Sequence, residues 1–370
     1  MRRVFMPIFV GALLLIILPL VVSCKRDDNP GEKENQTQTP EPPVEVEASS
    51  WYAAGMNYDL ESDCIAATVW KDGQVLYAIS EPETFSVALG ICVDGEDVYS
   101  CGMLENGVGD YNVIWKNGKQ ILSIDMDSEQ LSGNVIDGFT DVAVVGGDVY
   151  ALASLYVSTG GGYRTTPVLF KNGTPSLFDT KSNNAEVNSI DGVGNDLYAT
   201  GSVDVNGMVM PAMWENGKVT ILKTPEETVE GAAYSVSVIG KDVYVMGEVY
   251  SLTSDIALPC IWKNGEPTQL LSDTQFDAYA TDVSVKSGDT YVSGVMSDSD
   301  EEFAILWQGG DYSMLGTGAA VGVVNCKDDI IVGGYTYLGD DYDNPPMATI
   351  WVNGNPQYLG YGSIIRMCSR

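Results

Sequence analysis

The chain has 370 residues, with 51 acidic and 19 basic side chains, a net charge of −32 and no histidine. The acidic surface repels phosphate backbones, so nucleic-acid binding is not expected, and the lack of imidazole excludes Ser-His-Asp and Cys-His nucleophiles and histidine-ligated metals within this chain. A Gly-, Val-, Ser-, Thr- and Tyr-rich composition with little helical periodicity predicts an all-β fold.

Residues 1–23 have the layout of a secretory signal peptide, because two arginines precede an apolar run over residues 4–22. The alternative is an uncleaved transmembrane anchor, since the run is nearly long enough to span a bilayer. The segment Val-Val-Ser-Cys at 21–24 resembles the lipobox of bacterial lipoproteins. This resemblance implies that Cys24 carries the lipid, palmitate included, that holds the protein on a membrane.

Residues 24–50 follow as the lipidated cysteine and a disordered tether, since Pro, Glu and Gln dominate and almost nothing apolar is present. Lys25 stands where inner-membrane lipoproteins often have Asp, and Cys-Lys-Arg-Asp-Asp resembles the export tag of surface lipoproteins. The resemblance implies the outer membrane of a Gram-negative bacterium, with the cell surface and the periplasmic side both left open.

Residues 51–370 contain a two-part repeat. One part is an aromatic residue followed by a polar turn, as in Trp-Lys-Asn-Gly, and it recurs at intervals of 44 to 55 residues. Its aromatic residues are Trp70, Trp115, Phe170, Trp214, Trp262, Trp307 and Trp351. The other part, usually Tyr-x-x-Gly, precedes each copy by 16 to 20 residues. A period near 45 is typical of propellers or solenoids.

Each repeat predicts four strands, with Asn-Gly as the hairpin turn between the last two. The aromatic residue before the turn lies among branched aliphatics, which predicts an apolar plug between neighbouring repeats rather than a sugar-stacking ladder. The first repeat lacks an innermost strand, and one extra strand follows the last repeat. We therefore predict a seven-bladed β-propeller of four-stranded blades, whose first blade is closed by the C-terminal strand.

The segment "AILWQGGDYSMLG" (residues 304–316) resembles the bacterial HAF-type extracellular repeat, and the layout is similar to kelch-like blades. The resemblance extends over residues 51–370 but rests on few positions. It implies the propeller architecture and identifies no functional residue.

The long loops between second and third strands are expected to share one face and to carry the ligand-binding residues. Tyrosines with Asp or Asn nearby suit contacts with carbohydrate or protein, although Tyr is also simply common in this chain. The candidates are Tyr58, Tyr163, Tyr250 and Tyr342.

Two acidic loops are candidate Ca²⁺-binding sites, although neither has the residue spacing of an EF-hand. The alternative is that both are simply solvent-exposed acidic loops. Their candidate ligands are Asp298, Asp300, Asp340, Asp341 and Asp343. Apart from Ca²⁺, no cofactor is expected. Export permits disulfide formation, and Cys64 and Cys368 both fall in the predicted first blade. A bridge between these two cysteines is therefore one hypothesis, and buried free thiols are the alternative.

The function that these features favour is a lipid-anchored, monomeric binding module for glycan or protein. The recurring positions all belong to the scaffold, which favours binding over catalysis. The alternatives are a carbohydrate-active enzyme that uses Asp and Glu, and a structural component of an outer-membrane complex.

Overall fold

A computed structural model describes residues 48–370 except 62–63, 80–83, 127–134, 160–161, 183, 255, 272–275, 299–300 and 339–344. Every regular element in this part of the chain is a β-strand, so the predicted all-β class is confirmed. A helix able to cross a bilayer is not found among these residues. The predicted signal peptide, Cys24 and most of the tether lie outside them.

The strands of the first half follow one another at short intervals. They are β1 (Trp51–Asp59), β2 (Cys64–Lys71), β3 (Gln74–Ile79), β4 (Phe85–Asp94), β5 (Asp97–Glu105), β6 (Asp110–Lys116), β7 (Lys119–Asp125), β8 (Val135–Ile136), β9 (Asp141–Val145), β10 (Asp148–Thr159), β11 (Gly162–Lys171) and β12 (Thr174–Leu177).

The second half continues in the same way and contains two long strands, β24 and β27. Its members are β13 (Ala185–Val193), β14 (Asp196–Val205), β15 (Met208–Glu215), β16 (Lys218–Ile221), β17 (Thr228–Ile239), β18 (Asp242–Ser251), β19 (Ala257–Lys263), β20 (Glu266–Gln269), β21 (Asp277–Lys286), β22 (Asp289–Ser297), β23 (Glu302–Gln308), β24 (Asp311–Cys326), β25 (Asp329–Thr336), β26 (Met347–Val352) and β27 (Asn355–Ser369).

Neighbouring strands pair antiparallel as quartets, which we number along the chain. Quartet 1 combines the end of β27 with β1–β3. Quartet 2 is β4–β7, quartet 3 is β9–β12, quartet 4 is β13–β16 and quartet 5 is β17–β20. Quartet 6 is β21–β23 with the start of β24, and quartet 7 is the end of β24, β25, β26 and the start of β27.

The long strands β24 and β27 each serve two quartets. Gly318 and Gly362 lie where the chain passes from one quartet to the next, with φ of 117° and 141°. A Cβ on Gly318 would lie 2.2 Å from the carbonyl oxygen of Tyr335, and one on Gly362 would lie 2.0 Å from that of Met56. Only glycine fits both the dihedral angle and the close approach.

The C-terminal part of β27 pairs with β1 from Trp51↔Ser369 to Asn57↔Gly362. Hydrogen-bonded neighbours form one 14-stranded sheet, whose path runs from β21 through β27 and β1 to β7 with β3 paired to β2 off the path, while β8–β20 form three further sheets. The path has two ends, at β7 and β21, and does not close on itself.

The predicted Asn-Gly hairpin turns are confirmed. Asn264 has φ of 52° and Gly265 has φ of 82°, the left-handed pair that a type I′ turn requires, and the same pair recurs at Asn117, Asn172, Asn216 and Asn353. The side chain also holds its neighbours: Asn264 Oδ1 accepts the Val243 N–H at 2.9 Å and Nδ2 donates to Asp242 at 2.8 Å.

The aromatic residue before each turn is buried, as predicted. All seven aromatics are at most 2% exposed. Each packs into an apolar cluster drawn from two adjacent quartets. Trp214 of quartet 4, for example, contacts Phe178 edge-to-face and shares its cluster with Leu152 of quartet 3. These rings fill the space between quartets and are not available for stacking on a sugar.

A β-bulge interrupts the first strand of quartets 1, 2, 4, 5, 6 and 7. The residue that follows the bulge lies opposite the fifth residue of the second strand, or the fourth in β1, and Asp141 occupies this register in quartet 3. We call these the post-bulge positions: Gly90, Asp141, Ser189, Ser235, Asp282, Gly322 and Arg366.

Candidate functional site

Tyrosines and glutamates gather where the first strands of quartets 5 to 7 begin. In quartet 5, Glu248 lies near the end of β18 and is only 5% exposed. Tyr234 donates its hydroxyl hydrogen to Glu248 Oε1 at 2.6 Å, and Tyr250 donates to the same oxygen at 2.9 Å. One buried carboxylate therefore orients two phenol rings.

The β-bulge of β17 explains why Tyr234 reaches this carboxylate. The pairing with β18 shifts register between Ala233 and Ser235, so Tyr234 has no partner of its own on β18. A bulged residue is turned out of the regular alternation of the strand. Its ring meets that of Tyr279 from quartet 6, with centroids 5.6 Å apart and planes at 70°.

The aromatic contacts continue into quartet 7. Tyr279 and Tyr337 pack against the cluster of Val295, Ala319 and Tyr335. The rings of Tyr335 and Tyr337 are edge-to-face with centroids 5.8 Å apart, and Tyr335 donates to Glu302 Oε2 at 3.2 Å. We define the tyrosine–glutamate belt as Tyr234, Tyr250, Tyr279, Tyr335, Tyr337, Glu248 and Glu302.

Burial dominates the titration of this belt. Desolvation raises the pKa of Glu248, while hydrogen bonds from the two phenols act in the opposite direction. Desolvation followed by repulsion from Glu248 raises the pKa of Tyr234 and Tyr250. These tyrosines are therefore neutral hydrogen-bond donors at physiological pH.

A second polar cluster lies at the post-bulge positions. The guanidinium of Arg366 forms an ion pair with Asp141 and donates to Ser235 Oγ at 3.2 Å. Asp141 Oδ2 also accepts the Ser189 hydroxyl and the Ile190 N–H, both at 3.0 Å. The two charged side chains are 16% and 4% exposed, so this is a nearly dry ion pair.

Related bonds join the first strands of adjacent quartets. Asp282 Oδ2 accepts the Val323 N–H at 3.1 Å, and Asp191 Oδ2 accepts the Val238 N–H at 2.7 Å. Burial raises the pKa of both Asp191 and Asp282 to about 6, against hydrogen bonds from backbone N–H groups. Because these acceptors are used to connect strands, the cluster is best explained as part of the scaffold, and the belt is the candidate ligand site.

Of the four predicted ligand-binding tyrosines, Tyr250 belongs to the belt. Tyr58 lies half-buried at the end of β1, opposite Ile65, on quartet 1. Tyr163 is the second residue of β11, opposite Ser158, and Tyr342 lies outside the described residues. The role of these three stays a prediction.

The predicted acidic Ca²⁺ ligands fall mostly outside the described residues, which applies to Asp300, Asp340, Asp341 and Asp343. Asp298 is exposed and accepts the Glu301 N–H at 2.9 Å, which caps its own loop. A group of three or more His, Cys, Asp or Glu side chains arranged for a metal is not found in the described part of the chain.

The disulfide hypothesis is corrected by the strand register. Cys64 lies opposite Asp59 and Cys368 opposite Tyr52, at opposite ends of β1. Seven residues of strand separate them by about 23 Å, far beyond the reach of a disulfide. Both thiols are free, as are those of Cys92, Cys101, Cys260 and Cys326.

Sequence reasoning missed Tyr234, Tyr279 and Glu248 because they lie inside strands that carry the repeat. A signal was nevertheless present: "AAYSVSV" and "DAYATDV" both place Tyr after Ala early in a first strand. The other copies of the first strand have Leu, Asn, Val or Ile at the bulged position of Tyr234, except Thr281 of quartet 6.

Comparisons with known proteins give structural neighbours only: no family model and no curated protein matches this chain. The β-propeller domain of the trilobed protease from Pyrococcus furiosus is similar with a TM-score of 0.47 and 11% identity, over 85% of this chain and 93% of that one. TolB from Acinetobacter baumannii aligns with a TM-score of 0.42 and 13% identity over 85% and 82%. A putative TolB from Agrobacterium tumefaciens aligns with a TM-score of 0.40 and 14% identity over 73% and 90%.

Proposed function

We propose that this chain is a lipid-anchored, seven-bladed β-propeller that acts as a binding module for a glycan or a protein. In this proposal each quartet is one blade, and the C-terminal strand closes the ring by pairing with β1. The contacts of Arg366 support the ring. This quartet 1 side chain touches Asp141 of quartet 3 and Ser235 of quartet 5, and quartets that are not adjacent meet only if their first strands converge on a common axis.

The tyrosine–glutamate belt is the observation that carries the binding function. Its members come from three consecutive quartets and lie at one end of the array, beside the loops that join second to third strands. Tyr is favoured at binding surfaces because a rigid ring and a polar tip contribute contact area at low entropic cost. The fixed hydrogen bonds to glutamate keep these rings preorganised.

A panel of glycans and peptides tests this function with the full chain in a mild non-ionic detergent. We expect saturable binding that Tyr250→Leu weakens about tenfold, as loss of a central aromatic contact does. Tyr358→Leu, at an exposed tyrosine on β27 outside the belt, is the matched control. Equal binding by the wild type and Tyr250→Leu contradicts the proposal. If a small molar amount of the protein converts a glycan into cleaved product, the alternative of a carbohydrate-active enzyme is favoured instead.

The membrane anchor is tested separately through Cys24. We propose that the mature protein begins at this residue, carries acyl chains and resides in the outer membrane of a Gram-negative bacterium, facing the cell surface. Growth of an expressing Gram-negative host with an alkyne analogue of palmitate is expected to label the wild type and not Cys24→Ser, while Cys64→Ser keeps the label. Label that persists in Cys24→Ser contradicts the anchor.

A further inference from the structure

We propose that the tyrosine–glutamate belt binds a cationic side chain, the arginine or lysine of a basic segment of a partner protein. This proposal rests on the function proposed above and names the chemistry of its ligand. The belt offers the two kinds of group that bind an organic cation in water, which are phenol rings and carboxylates.

The aromatic component is built from rings of fixed orientation. Tyr234 and Tyr279 contact edge-to-face, and Tyr335 and Tyr337 do the same. The face of a phenol ring carries negative electrostatic potential, which attracts guanidinium and ammonium groups within about 6 Å. Because the hydroxyls of Tyr234 and Tyr335 are bound to glutamates, the rings cannot turn away without losing those bonds.

The opposite end of the quartets shows the same chemistry with its cation supplied by the chain. Lys263 lies 5.1 Å from the ring centroid of Tyr244 and 2.7 Å from an oxygen of Asp242. Lys116 repeats the arrangement with Tyr99 and Asp97, and Lys171 repeats it with Tyr150 and Asp148. Tyrosine beside a carboxylate is therefore a lysine-binding unit that this fold uses repeatedly.

At the belt, the glutamates accept hydrogen bonds from tyrosines, and no lysine or arginine among the described residues forms an ion pair with either glutamate. The ion pairs of the described part of the chain use Asp97, Asp141, Asp148, Asp242 and Glu266 as their acidic members, and neither Glu248 nor Glu302. Glu302 is exposed, and its neighbourhood in the sequence is acidic. Residues 287–346 hold eleven Asp and Glu and a single basic residue, Lys327.

Charge complementarity selects a basic protein segment over a neutral glycan. A sugar would use the belt through its hydroxyl and C–H groups and would gain nothing from the surrounding negative charge. A basic segment gains both local contacts and long-range attraction to a chain of net charge −32. Arginine suits the site best, because its planar cation stacks on rings and donates two parallel hydrogen bonds to a carboxylate.

The test is calorimetric binding of a Gly-Ser peptide with three arginines, capped at both ends, to the full chain in non-ionic detergent. The control peptide carries citrulline, which has the shape of arginine without its charge. We expect the citrulline peptide to bind at least about tenfold more weakly than the arginine peptide. Tyr279→Leu and Glu302→Gln are each expected to weaken arginine-peptide binding about tenfold, while Tyr279→Phe, which keeps the ring, binds within about twofold of the wild type.

Two controls separate local recognition from general attraction to an acidic protein. Glu96→Gln removes the same charge at an exposed turn of quartet 2, and Tyr358→Leu removes an exposed ring on β27. Equal losses from Glu96→Gln and Glu302→Gln, or equal binding of both peptides, overturn the cation site. Glycan binding that depends on Tyr279 overturns it as well but leaves the proposed function in place. If belt variants alter no binding of any peptide or glycan, both proposals fail.

Discussion

At the residue scale, the buried carboxylates of the first strands lose solvation on folding, and hydrogen bonds offset part of that loss. Asp282 accepts the Val283 N–H at 2.8 Å, the Val323 N–H at 3.1 Å and the Ser237 hydroxyl at 3.1 Å. These bonds connect quartets 5, 6 and 7 through one side chain. Burial raises the pKa of Asp282 more than these hydrogen bonds lower it, and the result is a pKa of about 6.

This raised pKa predicts the sign of a pH dependence. An acid whose pKa is higher in the folded state holds its proton longer there, so its contribution to stability is lost as pH rises from about 4 to about 6. Lowering the pH through that window is therefore expected to recover up to about 1.4 kcal/mol per pH unit from Asp282. In urea titrations, Asp282→Asn is expected to flatten the dependence of the free energy of unfolding on pH.

Asp97→Asn provides a control of opposite sign. Hydrogen bonds from Lys116 and Asn117 lower the pKa of Asp97, so its contribution is present above the unfolded pKa and is lost on acidification. Removing that carboxylate is expected to leave the Asp282 component intact between pH 4 and 6. Parallel curves for the wild type and Asp282→Asn would refute the assignment.

At the element scale, hairpins could be predicted and the irregular strands could not. Asn-Gly specifies its own dihedral angles, so the turn at Asn264 is determined by two neighbouring residues. The buried position of Trp262 follows from its aliphatic neighbours in the same strand. In both cases the information is local, which is why the sequence is sufficient.

The bulges and the belt depend on partners that are distant in sequence. Whether Tyr234 is bulged is decided by its register against β18, and its contact with Tyr279 joins strands of different quartets. The Leu-Gly-x-Gly phrases at 315–318 and 359–362 were a local signal for the strands that serve two quartets, because both place glycine at the crossing. The disulfide hypothesis failed for the related reason that it assigned two cysteines to one sheet without a register along it.

At the scale of the whole molecule, Arg366 connects quartets that are far apart in the sequence. Its partners Asp141 and Ser235 lie 225 and 131 residues away. Arg366→Met leaves the Asp141 carboxylate, which is 4% exposed, without its cation. We expect a loss of roughly 3–5 kcal/mol in the free energy of unfolding, measured in urea, because removing one member of a buried ion pair leaves the other charge buried without a partner.

The double variant Arg366→Met, Asp141→Asn is the informative control. If the loss arises from an unpaired buried charge, the double variant is expected to be more stable than Arg366→Met alone. Arg366→Lys is expected to fall between the wild type and Arg366→Met, since one ammonium cannot reproduce the fork that reaches two partners. A loss under about 1 kcal/mol for Arg366→Met would mean that the ion pair does not hold the quartets together.

The pairing of β1 with β27 also dictates an order of assembly. Strand β1 is synthesised more than 300 residues before the strand that covers its free edge, so quartet 1 cannot be completed until Ser369 has left the ribosome. Until then β1 presents an unpaired backbone edge, which is prone to adhere to other chains. Such distant pairing makes folding slow, and a nascent chain of this design depends on being kept apart from its copies until its last strand arrives.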